Sequence, residues 1–210
     1  MSHNGHSVFP VHTDFPEHTV FPEHTVFPEY TIESAPPAAR RQMAASRDHL
    51  GYLPAALARM ATSPHLMDGF LRLSAIFENT TLDPVAREVL IMTMATRNGC
   101  HICVAMHTAR LTGLGASPDL IARLRGGPLE PLAEDRLDAI RVFTLRVLDS
   151  AVDVGDEALE AFLASGYTGQ NALEVVLGIG TYTLSTLANR LTGAPVDEQL
   201  SDYAWHSEVA

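Results

Sequence analysis

Apolar side chains recur every three or four positions along most of this chain, from residue 36 almost to its end. That spacing places them on one face of an α-helix, whereas a half-buried strand would alternate apolar and polar residues. No stretch of the sequence alternates cleanly at a period of two. We therefore predict an all-α fold, a helical bundle. The predicted helices cover residues 38–50, 54–61, 64–77, 84–97, 100–113, 117–124, 133–150, 156–165 and 170–191.

The last predicted helix, 170–191, combines an apolar stripe with two internal glycines, Gly178 and Gly180. Glycine inside a helix costs stability unless another helix or a substrate must approach closely. This helix and helix 64–77 carry more apolar surface than one thin helical layer can hide. We therefore expect a homo-oligomer with its site-bearing helices near the subunit contacts.

Residues 1–35 are predicted to form an extended, proline-rich tail, and residues 36–210 one helical domain. Within the tail, residues 12–31 repeat a hexapeptide of the type His-Thr-Val-Phe-Pro-Glu. A proline in every unit excludes a helix and favours extended or polyproline backbone. Such a segment is typical of a disordered or weakly held tail. The alternative is an arm whose regularly spaced phenylalanines insert into a neighbouring subunit.

The charge balance limits the partners of this chain. It has 25 acidic residues against 14 Lys and Arg, for a net charge of −11. Nucleic acids and anionic membranes are bound by basic patches, so we expect neither as a partner. No apolar run approaches the roughly 20 residues of a membrane helix, and the N-terminus lacks the pattern of a secretory signal. We expect a cytoplasmic protein with reduced cysteines.

Cys100 and Cys103, the only cysteines in the 210 residues, form a C-x-x-C pair. In a reducing compartment this spacing indicates redox chemistry or metal binding. The pair follows Asn98-Gly99 and would lie in the first turn of a helix, where free amides and the helix dipole stabilise a thiolate. His107 is four residues after the second cysteine, on the same helical face.

Glu88 joins this site only if the chain turns between helices 84–97 and 100–113. On a continuous helix, the distance from Glu88 to Cys100 would be roughly 18 Å. The asparagine–glycine pair between the helices tolerates left-handed backbone, and a reversal there would set Glu88 opposite His107 at a similar height. Glu88 also precedes an apolar run, which predicts burial, and a buried carboxylate needs a partner.

Two other interpretations of the cysteines are open. Reduced cysteines are common in protein cores. Together with Glu88 and His107 they could also provide four zinc ligands, although three ligands on one helical face make an awkward tetrahedron. We favour redox chemistry because a thiol reacts as its thiolate, and a neighbouring carboxylate and imidazole would help to form it.

These residues resemble the alkylhydroperoxidase D-like group of the carboxymuconolactone decarboxylase family. The motif is Glu88, the run 100–103 and the run 107–110, and the resemblance covers most of residues 36–200. Further matching segments are 51–54, 63–64, 113–115, Asn189 and 195–197. The resemblance implies an all-helical, oligomeric thiol peroxidase or disulfide reductase.

In that family the second cysteine attacks the peroxide, the first resolves it to a disulfide, and Glu and His relay the proton. Carried over, Cys103 attacks, Cys100 resolves, and Glu88 with His107 activates Cys103. The helix dipole alone favours Cys100 as the nucleophile, so we also expect Cys100 to be the exposed sulfur that a reductant attacks. The implied substrate is a small hydroperoxide, and the implied reductant is a dithiol or lipoyl-type protein, or a peroxiredoxin. No cofactor and no metal site is predicted.

One position departs from the family pattern. Peroxidase members often carry a histidine immediately before the second cysteine, where this chain has Ile102. The histidine lies one position earlier, at His101, about 100° round the helix and off the shared face. We therefore expect weaker peroxide turnover than disulfide exchange, which needs only a thiolate and access.

Two alternative functions remain open from the sequence. The decarboxylase branch acts on a lactone carboxylate without a cysteine pair and needs cationic anchors near its pocket, for which Arg87, Arg97 and Arg110 are the nearby candidates. The other alternative is a non-catalytic helical oligomer in which the cysteines serve as a redox sensor.

Overall fold

A computed structural model describes residues 26–149 and 154–206 of the chain. Within these ranges the regular structure is helical and contains no strand, so the predicted all-α fold is confirmed. The α-helices are α1 (Pro37–Leu50), α2 (Ala55–Met60), α3 (Pro64–Glu78), α4 (Pro84–Arg97), α5 (His101–Gly113), α6 (Pro118–Gly126), α7 (Asp135–Asp149), α8 (Asp156–Ala164) and α9 (Gly169–Thr192), and a 3₁₀ helix spans Glu198–Tyr203.

Side-chain caps set the starts of two helices where the sequence predicts them. Asp83 accepts a hydrogen bond from the Val85 amide at 2.9 Å, and Pro84 occupies the first position of α4. Ser117 accepts from the Leu120 amide at 3.1 Å to start α6. These bonds satisfy amides that have no partner inside the helix, which fixes where each helix begins.

The chain reverses between α4 and α5, as the asparagine–glycine pair predicts. Gly99 has a φ of 61°, in the left-handed region that glycine adopts without penalty. The Cys100 amide donates to the Ala95 carbonyl at 2.9 Å and closes the turn. One detail of the prediction is wrong: α5 begins at His101, so Cys100 is its N-cap residue and does not lie within the first turn.

Helix α4 is the centre of the bundle and packs against α5, α6, α7 and α9. Every residue from Glu88 to Thr96 is buried, so α4 is enclosed on all sides over this stretch. A second, smaller apolar cluster joins the first three helices through Met43 of α1, Met60 of α2 and Met67 of α3. The site described below lies between this cluster and the α4–α5 hairpin.

Helix α9 turns its apolar stripe outward. The exposed apolar residues of α9 are Leu173, Val176, Leu187 and Leu191. The buried polar residues of the same helix include Asn171, Glu174, Ser185 and Asn189. The inward face also buries the apolar residues Val175 and Ala188 and is therefore mixed. Its polar residues meet polar partners, such as the Thr81 amide that donates to Glu174 at 3.0 Å. None of the described helices, α9 included, combines the length and apolar character needed to cross a membrane.

The last part of the predicted tail packs onto the helical domain. The Tyr30 amide donates to the Ala58 carbonyl at 3.4 Å, and Glu29 lies 3.7 Å from the Arg59 guanidinium. Ala35 is fully buried in the cluster of the first three helices. Most of the hexapeptide repeat, residues 12–25, falls outside the described residues.

The two glycines of α9 provide a matched test of close packing. A Cβ atom at Gly178 would lie 2.6 Å from the Phe77 ring and 3.0 Å from Leu90, whereas one at Gly180 would meet nothing within 4 Å. The predicted close approach is therefore confirmed at Gly178, and at Gly180 no atom of the described residues comes close. We expect Gly178→Ala to lose about 1–3 kcal/mol through overpacking, reduced by about 1 kcal/mol from better helix propensity.

Urea denaturation, monitored by circular dichroism, measures the free energy of unfolding of each variant. Gly180→Ala is the control and should be neutral or stabilising, because Ala favours a helix and has room there. Equal stabilities for the two variants would contradict the packing argument.

Candidate active site

The α4–α5 hairpin brings Glu88 and His107 together in the interior. Glu88 Oε2 lies 2.7 Å from His107 Nδ1, and the two residues are 3% and 5% exposed. The predicted juxtaposition is therefore confirmed, including the burial of Glu88. Because Nδ1 is engaged by the carboxylate, Nε2 is the nitrogen that His107 has free for proton exchange with the site.

Arg110, one turn after His107 on α5, holds the other side of the carboxylate. Its Nε lies 3.1 Å from Glu88 Oε1, and its Nη1 donates to Glu78 of α3 at 2.7 Å. Burial alone would lower the pKa of Arg110, but the Glu88 and Glu78 carboxylates outweigh it and raise that pKa. The Arg110 guanidinium thus forms ion pairs with two carboxylates.

Tyr182 of α9 packs against His107. Its ring meets the His107 ring edge-on, with centroids 5.5 Å apart, and also meets Phe77 edge-on at 5.7 Å. Burial raises the pKa of Tyr182 to about 12, with the Glu88 charge adding to the rise and a hydrogen bond with Ser74 opposing it. Tyr182 therefore stays neutral and fixes the position of the imidazole ring.

Cys100 and Cys103 form a disulfide at the start of α5, with their Cα atoms 5.3 Å apart. Cys103 is 4% exposed and lines a cavity, whereas Cys100 is 1% exposed and is not among the cavity-lining residues. The expectation that Cys100 is the exposed sulfur is wrong. The N-cap position turns its side chain into the core beneath α5, where it joins the main apolar cluster.

The residues between the cysteines also separate as predicted. His101 is exposed and points away from the shared face, while Ile102 is buried and lines the cavity beside Cys103. Position 102 therefore faces the site, and the imidazole at position 101 does not.

Asn189, near the end of α9, approaches both sulfur atoms. Its Nδ2 lies 3.3 Å from Cys103 Sγ and 3.9 Å from Cys100 Sγ. The residue is 6% exposed and lines the cavity, and its Oδ1 has no hydrogen-bond partner. In the sequence, Asn189 belongs to the family resemblance but has no assigned role. It follows Cys103 by 86 residues and Cys100 by 89, so no local spacing connects it to either cysteine.

The cavity at Cys103 has a volume of about 650 Å³ and a mainly apolar lining. Its apolar walls include Leu50, Leu57, Met60, Phe70, Leu71, Ile102 and Met106. Its charged residues Glu78 and Arg110 are the ion pair described above. His107 and Asn189 contribute polar groups to the lining, and Asn189 reaches Cys103 Sγ.

The two other predicted cationic anchors lie away from this cavity. Arg87 donates to the Leu82 carbonyl at 2.6 Å, and Arg97 pairs with Asp149 at 2.9 Å. Neither lines the cavity. Among residues 26–149 and 154–206, no group of three or more His, Cys, Asp or Glu side chains is placed to hold a metal ion.

Known proteins resemble this chain in one sequence segment and in the fold. Residues 64–142, which include all four predicted site residues, match the model of the carboxymuconolactone decarboxylase family. The family resemblance predicted from the motif is therefore confirmed. No curated protein matches the chain in sequence.

Solved structures share the fold at low sequence identity. An uncharacterized peroxidase-related protein from Ralstonia eutropha JMP134, with an alkylhydroperoxidase AhpD core, has 20% identity and a TM-score of 0.75, covering 83% of this chain and 93% of its own. A peroxidase-related protein from Silicibacter sp. TM1040 has 16% identity and a TM-score of 0.69, covering 87% and 97%. The debrominase Bmp8, solved with 2,3,4-tribromopyrrole, has 14% identity and a TM-score of 0.67, covering 86% and 96%.

The disulfide is expected to be reversible. Treatment with a dithiol should free both cysteines for alkylation, and mild peroxide should restore a protein two hydrogen masses lighter that resists alkylation. In the reduced protein Cys103 should alkylate faster than Cys100, because only Cys103 lines the cavity. Mass spectrometry of alkylated peptides measures both effects. Alkylation that is unchanged at both residues after peroxide would contradict the prediction.

Proposed function

We propose that this protein is a cytoplasmic thiol-dependent hydroperoxide reductase with disulfide oxidoreductase activity. The observation that carries the proposal is the Cys100–Cys103 disulfide at an apolar cavity, beside the buried Glu88–His107 pair. A thiol that must become a thiolate is served by a base that is itself oriented by a third group. Thiol, base and carboxylate are all present here.

In the reduced protein, His107 takes the thiol proton of Cys103, and the thiolate attacks the terminal oxygen of the hydroperoxide. The O–O bond breaks, Cys103 becomes a sulfenic acid, and the leaving alkoxide receives the proton from His107 and departs as an alcohol. The Cys100 thiol then attacks the sulfenic sulfur, which releases water and forms the disulfide. A dithiol reductant supplies two electrons and two protons and leaves as its own disulfide.

Glu88 acts through His107 in this scheme. An ionised carboxylate at Nδ1 favours the tautomer whose proton is on Nδ1, so the Nε2 lone pair is free to accept a proton. The same carboxylate stabilises the imidazolium that forms next. Arg110 holds the carboxylate in place from its other side.

The reductant is proposed to reach the disulfide at Cys103, because that sulfur lines the cavity. Attack there releases Cys100 as the leaving thiolate. Cys100 caps the N-terminus of α5, where the helix dipole favours a negative charge. A dithiol or lipoyl-type protein, or a peroxiredoxin, is the class of reductant we propose.

Electrostatics at the cavity argues against the decarboxylase alternative. A lactone carboxylate would need a free cation, yet Arg110 is already shared by two carboxylates. Arg87 and Arg97 are engaged elsewhere. The cavity therefore suits neutral, apolar molecules better than anions, and a neutral organic hydroperoxide fits its lining.

Turnover of cumene hydroperoxide with dithiothreitol tests the proposal. Cys103→Ser should abolish turnover, since it removes the attacking thiol. His107→Gln should lower kcat by about 10²–10⁴-fold, the usual contribution of a positioned proton carrier. Glu157→Gln, an exposed residue of α8, is the matched control and should keep the wild-type rate.

The substrate panel separates the competing functions. Hydrogen peroxide and 2,3,4-tribromopyrrole, the compound found in the debrominase structure, are included as alternatives. A wild-type protein that forms its disulfide but turns over none of these substrates would be a redox sensor and not an enzyme of this class.

We also propose that the protein is a homo-oligomer whose contact face is the exposed apolar stripe of α9. Four large apolar residues of α9 are exposed to between 51% and 73%, which is unfavourable for a face left in water.

Light scattering tests the assembly. The wild type should exceed the 22.7 kDa of one chain, and Leu187→Glu should reduce it to the monomer, because a charge would be buried in the contact. Ala161→Glu adds the same charge on exposed α8 and should leave the assembly intact. A wild type that scatters as a 22.7 kDa particle at micromolar concentration would rule out the homo-oligomer.

A further inference from the structure

The carboxamide of Asn189 has a different relation to each sulfur. Nδ2 is within hydrogen-bond distance of Cys103 Sγ at 3.3 Å and is farther from Cys100 Sγ, at 3.9 Å. The residue is more than nine-tenths buried, so water does not compete strongly for this donor. A buried amide that points at sulfur acts on the chemistry of that sulfur.

The strength of the hydrogen bond from Asn189 to Cys103 depends on the redox state of the two cysteines. A disulfide sulfur is a weak acceptor, so the bond contributes little in the oxidised protein. A thiolate is charged, and a hydrogen bond to a charged group is roughly twice as strong as a neutral one. The same N–H therefore stabilises the reduced Cys103 far more than the oxidised Cys103.

The carboxamide oxygen takes no part in this contact. Asn189 Oδ1 is buried and has no hydrogen-bond partner. A buried acceptor without a partner is unfavourable. The side-chain hydrogen bonding of Asn189 is therefore through its N–H, which points at sulfur.

The end of α9 holds Asn189 firmly. Gly193 closes the helix with left-handed backbone, and the Ala194 amide donates to the Asn189 carbonyl at 3.1 Å. Arg59 donates to the Thr192 and Gly193 carbonyls, each at 2.8 Å. These contacts fix the backbone of the last turn of α9, from which Asn189 reaches the sulfurs.

We propose that Asn189 distinguishes the two cysteines, because its N–H lies closer to Cys103 and stabilises the Cys103 thiolate. This inference rests on the proposed function, because it assigns a part in the same thiol chemistry. It adds a third element to the site, contributed by α9 from outside the α4–α5 hairpin.

The reactivity of Cys103 as a single thiol tests the proposal. In a Cys100→Ser background, the rate of alkylation by iodoacetamide is measured against pH. Adding Asn189→Ala should move the midpoint of this profile upward by about one pH unit or more, because the thiolate loses its donor. Below the midpoint, that shift corresponds to about a tenfold loss of rate.

Ser185→Ala is the matched control in the same background. Ser185 lies one turn earlier on the same buried face of α9 and lines the same cavity, but no hydrogen bond joins it to either sulfur. Its midpoint should stay in place. Asn189→Asp, which nearly keeps the shape and replaces the N–H by a carboxylate oxygen, is the second variant and should also move the midpoint upward.

An unchanged midpoint in either folded Asn189 variant, or an equal shift in Ser185→Ala, would overturn the proposal. Circular dichroism confirms that each variant is folded before it is measured. The result does not depend on peroxide turnover, so failure of this inference and failure of the proposed function are seen in separate experiments.

Discussion

The hydrogen-bonded pair of Glu88 and His107 is the contact on which the arrangement of the site depends. A carboxylate placed inside an apolar helix bundle is strongly unfavourable unless it is paired and hydrogen-bonded. Here both carboxylate oxygens are engaged, one by the imidazole and one by Arg110. Satisfying that carboxylate requires α5 to lie against α4 in one register. The same register places Cys100 and Cys103 at the start of α5, with the His107 imidazole one turn after Cys103.

Asn189 and Tyr182 show how α9 completes what the hairpin begins. Near the site, the inward face of α9 carries the polar groups of Tyr182, Ser185 and Asn189, and its most exposed leucine and valine residues point outward. A helix at the surface of a globular protein is expected to turn its apolar side towards the core. The inversion is explained by the neighbours of α9, which offer sulfur atoms and an imidazole ring near its C-terminal half and the Thr81 amide near its start.

Local features of the sequence were sufficient to predict most of the fold and half of the site. Helix starts at Asp83 and Ser117 follow from capping chemistry within three residues, and the reversal at Gly99 follows from its neighbours along the chain. The Glu88–His107 contact could be predicted because one turn and two helical spacings determine it.

The remainder of the site depends on contacts between distant segments. The sequence identifies Arg110 as a cation near the site, but its contact with Glu78 depends on where α3 ends. The burial of Cys100 depends on how the N-cap of α5 faces the core, and the Asn189 contact depends on the register of α9. Helical periodicity does not fix how distant helices align with one another. The two cysteines and the Glu88–His107 contact could therefore be predicted from the sequence, but the groups that surround them could not.

The position of the disulfide has a consequence for the order of events in a protein that works as proposed here. Cys103 meets the cavity and Cys100 is enclosed behind it. Oxidant and reductant must therefore enter by the same opening, at different times, and each excludes the other while it is bound. Such a protein alternates between two forms that accept different molecules, and an excess of either molecule can occupy the form that should receive the other. The shared opening thereby makes the rate sensitive to the ratio of oxidant to reductant as well as to the amount of each.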